Sequence, residues 1–230
     1  MKKLLLVLIF TTLVNFIFAQ NSRPSSFQLG LRFAPSISWF NPNTKDYSSD
    51  GSSLKFSWGL LTDLRLTNNY FLSTGINFNT FGGKLKYPVL DFKNGSGNMK
   101  EIYSVKYLEI PVLLKMKTRP FGPITYYGEV GVGFGLMIKA NADQEFSSSN
   151  TSYSILTNGV DVKSRINDFK MSLIIGAGIE YSLGGSTSLF AGLRFNNGFT
   201  NILNFNNNIL PYTDATAVPN SVELAVGIIF

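Results

Sequence analysis

Apolar and polar residues alternate along most of this chain. The final run is typical: Val222, Leu224, Val226, Ile228 and Phe230 fall on one side, and Ser221, Glu223, Ala225, Gly227 and Ile229 on the other. Alternation with a period of two puts successive side chains on opposite faces of a β-strand. The pattern predicts eight strands, at about 27–39, 54–66, 70–81, 102–117, 124–138, 169–182, 188–199 and 220–230. One such strand also fits a soluble sandwich. Eight of them, each long enough to cross the hydrocarbon as a tilted strand of roughly 9–11 residues, predict an all-β, eight-stranded antiparallel up-and-down transmembrane β-barrel.

The connections carry the same message. Thr67-Asn68-Asn69, the stretch Thr118 to Pro123, and Leu183 to Thr187 are short and rich in Gly, Pro and Asn, as tight turns require. Residues 40–53, 82–101, 139–168 and 200–219 are long and polar and are expected as loops. Short and long connections alternate strictly, as they do between the periplasmic and external ends of such barrels. Both termini are then expected on the periplasmic side.

Face assignment sorts the charges. The outward set of the fifth strand runs Ile124, Tyr126, Gly128, Val130, Val132, Phe134, Leu136, Ile138, and that of the fourth Leu108, Ile110, Val112, Leu114, Met116. The sixth strand presents Phe169, Met171, Leu173, Ile175, Ala177, Ile179 and Tyr181 on the same side. None of these is charged. Arg32, Asp63, Arg65, Glu109, Lys115, Glu129, Lys170, Glu180, Arg194 and Glu223 all have inward parity and are expected to form a charge network in the lumen. A Lys or Arg on the lipid face at mid-membrane costs roughly 2–4 kcal/mol. Lys106 has outward parity, near the long-loop end of its strand, where it can snorkel. Glu109 and Glu129, on neighbouring strands, are expected to share Lys115, Arg65 or Arg194. Glu101, in a loop, is expected to be dispensable for stability. Aromatic girdles are expected at both interfaces: Trp39, Phe40, Phe56, Trp58, Phe78 and Phe81 toward the long loops, and Tyr70, Phe71, Tyr126, Tyr181 and Phe230 toward the short turns.

Residues 1–19 read as a signal peptide, with Lys2 and Lys3, an apolar stretch from Leu4 to Phe18, and cleavage at Ala19-Gln20. This leaves 20–230 as the barrel domain. The precursor carries +6, and losing the two lysines leaves +4, with bases too scattered for nucleic-acid binding. Charged residues make up 15 % of the chain while Phe and Tyr number 30, a balance that suits lipid exposure.

The sequence contains neither Cys nor His. This excludes disulfides, thiolate metal sites, lipid acylation at cysteine and a Ser–His arrangement, and no cofactor or metal is expected. A Ser–Lys pair is a remote alternative. The inward glutamates resemble a catalytic carboxylate set, but buried acids need basic partners and the inward bases supply them, so structural pairing outweighs catalysis. Gly131-Val132-Gly133-Phe134-Gly135 and Gly176-Ala177-Gly178 lie inside strands with no following helix, so they are not nucleotide loops. Small inward residues there make room for large ones on neighbouring strands. Lys84, Lys86, Lys93 and Lys100 make the 82–101 segment basic; it reads as a solvated loop, with contact to lipopolysaccharide as the alternative. Asn150-Thr151-Ser152 fits a glycosylation sequon that belongs to eukaryotic secretion and is discounted.

The stretch Tyr107-Leu108-Glu109-Ile110-Pro111-Val112-Leu113-Leu114-Lys115 resembles a strand of the PorT-like outer-membrane β-barrel family of Bacteroidota. The Gly-rich strand that follows, Gly176 to Glu180, the terminal Phe230 and a signal ending in Ala-Gln fit the same resemblance. It implies an outer-membrane location, contact with outer-membrane lipid and lipopolysaccharide, and delivery by the barrel-assembly machinery through the C-terminal strand. The family's namesake takes part in type IX secretion and gliding. Pro111, inward in a strand interior, predicts a bulge there. Three function classes stay open: a closed, non-enzymatic barrel that binds, shields or docks an envelope partner; a narrow pore for small solutes; and, least favoured without His, a membrane enzyme.

Overall fold

The computed structural model describes residues 26–91, 95–149, 153–204 and 215–230. The signal segment, Lys93 and the Asn150 sequon lie outside them. The strands are β1 (Phe27–Pro42), β2 (Ser48–Gly51), β3 (Ser53–Arg65), β4 (Tyr70–Asp91), β5 (Gly95–Lys117), β6 (Ile124–Ser148), β7 (Ser154–Asp161), β8 (Phe169–Gly184), β9 (Thr187–Gly198) and β10 (Ala217–Ile229), with one 3-10 turn at Lys163–Arg165. Eight of them close a ring in the order β1-β3-β4-β5-β6-β8-β9-β10, every neighbour antiparallel. The first and last strands seal it, with Gly30 opposite Ile229 and the Phe230 N–H donating to the Leu29 carbonyl at 2.7 Å. Closure leaves the ring no free edge, the condition for placing strands in lipid.

Alternation does what the sequence predicts within the ring. Along β5, Ile110, Val112, Leu114 and Met116 are exposed on the outside, while Glu109, Pro111, Leu113 and Lys115 are buried inside. The large exposed apolar residues recur on all eight strands, from Leu31 and Phe33 on β1 to Val222 and Leu224 on β10. A continuous apolar belt of that extent marks a lipid-facing surface.

Three expectations are corrected. The long connections are not simply loops. β4 and β5 run 22 and 23 residues and pair from Tyr70↔Met116 to Asp91↔Gly95. At roughly 3.3 Å per residue this hairpin is about 70 Å long, far more than a membrane needs. β6 likewise continues to Ser148, and β2 and β7 pair with these extensions. Polar sequence does not prevent pairing, because the ladder is made by the backbone.

There is no bulge at Pro111, which stands opposite Gly133 in unbroken register with β6. On the β4 side the ladder skips Gly75–Ile76 and Ile110–Pro111 without a register shift, so the missing N–H is absorbed there. The bulge lies instead between Lys106 and Tyr107, where β6 inserts Ile138 as an extra residue. Finally, Phe40, Phe71 and Phe81 are buried inside rather than in the girdles. Each has the parity of the inward set. Trp58, Tyr70, Phe78, Tyr126, Tyr181 and Phe230 do face outward.

The interior is filled at two levels. A small apolar cluster, including Leu61, Tyr127, Phe190 and Ile229, lies among the lumen charges. A larger one sits at the long-loop end, where Phe40, Tyr103, Phe81 and Tyr107 meet Ile166, Ile202 and Leu203 from the connections above. Phe40 packs edge-on to Tyr103 at 5.6 Å, and Tyr47 stacks on Tyr87 at 4.6 Å. This apolar dome covers the mouth at the long-loop end.

Candidate functional site

The most chemically distinctive region is the lumen. Eight strands enclose an interior only wide enough for side chains, so each inward charge must find its partner there. At the short-turn end, Lys115 Nζ lies 2.9 Å from Asp63 Oδ2 and 2.7 Å from Glu180 Oε1. Lys117 joins this group, 2.9 Å from Glu180 Oε2 and 3.6 Å from Asp63. Lys115 also stands over the Tyr127 ring at 4.5 Å, and Lys117 over Phe71 at 4.3 Å, so the ring faces stabilise what water would otherwise solvate. Two acids thus hold two bases. The sequence reading missed Lys117, although its spacing of two from Lys115 assigns it the same face.

Further along, Arg32 pairs with Glu223 between β1 and β10, and Arg194 holds Glu129 with two hydrogen bonds, from Nε and from a terminal nitrogen. Lys170 pairs with Glu109 at 2.8 Å, and the Asn79 amide donates to the same carboxylate at 2.7 Å. Lys170 also lies 3.8 Å from the centre of the Phe81 ring. Glu129 therefore uses one of its expected partners, whereas Glu109 uses none of Lys115, Arg65 and Arg194. Arg65 makes no ion pair among the described residues and sits over Phe71 at 5.5 Å.

Register explains the choice of partner. Glu109 stands opposite Gly135, and Gly135 opposite Lys170. Glu129 stands opposite Gly176, and Gly176 opposite Arg194. In both rows a glycine separates acid from base, and the two long side chains close over it. A Cβ on Gly176 would lie 2.8 Å from Glu129 Oε1 and 3.0 Å from Arg194 Cγ, so only glycine leaves the pair its space. The two glycine-rich strands are thus part of the charge network.

A second polar cluster lies in the dome, beyond the membrane-spanning part of the barrel. Glu101, expected as a solvated loop residue, is fully buried. Arg165, from the 3-10 turn, grips it with two hydrogen bonds of 2.8 and 3.0 Å. The Tyr103 hydroxyl and the Gln144 amide also donate to it, and Arg165 donates to the Tyr87 hydroxyl at 2.9 Å. Burial, then the neighbouring Glu101 carboxylate, pushes both tyrosine hydroxyls well above their usual range. Burial opposes the Arg165 charge most, yet its hydrogen bonds to Glu101, with the neighbouring Tyr103, Tyr87 and Glu101, together outweigh this and raise its affinity for the proton. Arg165 had no strand parity to betray it, because it comes from a connection.

Chemically, these arrangements neutralise charge. Each lumen acid faces a cation rather than a second carboxylate awaiting a proton. Among the described residues no three acids converge in a way that would hold a metal ion.

The chain matches no curated protein sequence. Among solved structures it is similar to the Neisserial surface protein A, at 16 % identity and a TM-score of 0.46 over 89 % of this chain and 96 % of that one. It is also similar to OprG from Pseudomonas aeruginosa, at 11 % identity and 0.42 over 89 % and 96 %. A third is Ail of Yersinia pestis, at 14 % identity and 0.34 over 89 % and 97 %. Residues 18–204 match the family described as outer membrane protein beta-barrel domain, so the chain belongs to that family and is an eight-stranded outer-membrane barrel.

Proposed function

We propose that the protein is a closed, non-enzymatic barrel whose work is done at its external end, by binding, shielding or docking an envelope partner. The observation that carries this reading is the filled interior: paired charges occupy the lumen and the apolar dome covers its outer mouth. An ion entering would have to break pairs that are sealed from water. The sheet beyond the membrane, including the exposed strand β2 and the largely exposed strand β7, offers the surface for a partner.

In this reading both termini face the periplasm, because β1 begins and β10 ends at the short-turn end, and the terminal strand with Phe230 is what the barrel-assembly machinery engages. Lipopolysaccharide surrounds the outer half. The Tyr107–Lys115 stretch supports kinship with the PorT-like barrels. An accessory role in type IX secretion or gliding is tested by a pull-down from crosslinked envelopes.

Planar-bilayer recording of the folded protein tests the closed state. Silence at moderate voltage is expected, and sustained ohmic single-channel steps would replace this reading with that of a narrow solute pore.

A further inference from the structure

The wall of the barrel parts at one place. β3 pairs with β4 only from Arg65↔Phe71 to Ser57↔Asn79. Beyond that point β3 stays with β1 as far as Ser53↔Ser38, while β4 follows β5 and takes β2 as its other neighbour. The Ser38 hydroxyl stands in for the missing strand, donating to the Gly82 carbonyl at 2.7 Å and accepting from its N–H at 2.8 Å. The opening leaves a cleft of about 590 Å³ on the outside of the wall.

Its chemistry is two-sided. Leu54, Phe56, Trp58 and Phe78 form an apolar wall, with Trp58 and Phe78 stacked at 4.6 Å. Lys55 and Lys106 also line it. Lys55 has inward parity, but its side chain lies against Gly82 in the gap. Lys106 stands directly opposite Lys139 on β6. Like charges facing each other across a ladder repel and destabilise it, yet here the sheet creates the juxtaposition. The extra residue Ile138 shifts the phase of β6, so that Lys139 turns outward beside Lys106 instead of inward. Re-aiming a side chain is what a bulge does. Among the described residues none of the three lysines forms an ion pair, although lumen cations a few residues away all but fill their need for carboxylates.

The level is also informative. Below Lys106 the outer face of β5 is apolar, with Leu108, Ile110 and Val112; beyond it the row turns mixed, with Ser104, Ile102 and Lys100. Aromatic residues with lysines at such a boundary mark the depth of lipid headgroups. We propose that this cleft binds one phosphorylated lipid of the outer leaflet. Its phosphate sits among Lys55, Lys106 and Lys139, and an acyl chain lies along Trp58 and Phe78. A soluble anion would gain nothing from the apolar wall, and a neutral lipid nothing from the lysines. The proposal rests on the reading that the long-loop end faces outward, which protease shaving of whole cells tests separately.

Native mass spectrometry of the full barrel, folded in a zwitterionic detergent and titrated with lipid A, tests the site. The wild type is expected to retain one lipid A. The combined Lys55→Gln, Lys106→Gln and Lys139→Gln variant should need a higher lipid concentration by about fivefold for each lysine lost. Lys106→Gln alone, on the lipid face where folding does not depend on it, should show a single such step. A control losing Lys84, Lys86 and Lys100 has the same net charge and should bind like wild type. Equal retention by the triple variant and wild type, equal loss in the control, or equal retention of dephosphorylated lipid A would overturn the proposal. So would displacement by inorganic phosphate at the concentration of the lipid.

Discussion

Glu129 and Glu101 sit in different halves of the barrel but in the same physical situation. Each is buried and each is gripped by two nitrogens of one arginine. Removing one partner of a buried pair leaves the other uncompensated, at about 3–5 kcal/mol where the site is dry. Glu129→Ala and Glu101→Ala should therefore both lower the midpoint of urea unfolding, read by tryptophan fluorescence in lipid vesicles. If water reaches either site, that variant's loss shrinks toward the 0–1 kcal/mol of an exposed pair. The dome tyrosines add a pH signature. Their folded pKa values lie above the unfolded value of about 10. The stability this contributes is complete below pH 10 and is lost as pH rises beyond it toward the folded values. In alkaline titration of the folded protein, followed by tyrosinate absorbance, Tyr87 and Tyr103 should stay silent. A Tyr87→Phe, Tyr103→Phe variant should match the wild type while folded and show less absorbance only once unfolded.

At the scale of the strand, alternation is a statement about depth as well as face. Val112 lies in the middle of the lipid-facing row of β5 and Met116 at its short-turn end, both exposed. Val112→Arg should cost roughly 2–4 kcal/mol and Met116→Arg roughly 0–1, because the penalty falls toward the interface. Unfolding in vesicles, with the shift between folded and boiled bands on a gel as a second readout, measures both. An equal cost at the two positions would mean that β5 does not cross the membrane at this register. The membrane parts of the strands were legible because lipid outside and packed charge inside impose different residues on the two faces. Past Lys106 that contrast ends. One side meets water and the other an apolar dome, so polar outward residues such as Ser104 made the extensions of β4, β5 and β6 look like loops.

For the molecule as a whole, filling is asymmetric. Ion pairs occupy the membrane-level interior, and aromatic and aliphatic residues with the Glu101–Arg165 cluster occupy the dome. The two arrangements suit their surroundings. Within the ring, strand parity alternates with a lipid face, and the interior can take charge only in neutral pairs. In the dome, connections from several strands converge and bring apolar residues that no lipid face competes for. In the proposed reading, seal and lumen together leave the sheet beyond the long-loop mouth as the working surface, so the bilayer recording and the lipid titration address different parts of one design.

The sequence by itself determined the number of strands in the ring, their order, and the face on which nearly every membrane-level residue stands. These follow from a local rule of period two, enforced by the cost of charge in lipid. Inward parity is likewise read from neighbours one residue away, as for Glu109 between the outward Leu108 and Ile110. What only the tertiary structure decided was who meets whom. Lys170 reaches Glu109 across Gly135, and Arg194 reaches Glu129 across Gly176, because ring closure sets the register between strands distant in sequence. Likewise Glu101 became a buried acid only because Arg165 folds over it from a connection. The parting of β3 from β4, and the bulge that turns Lys139 outward, depend on where ladders end, which no single strand's pattern encodes.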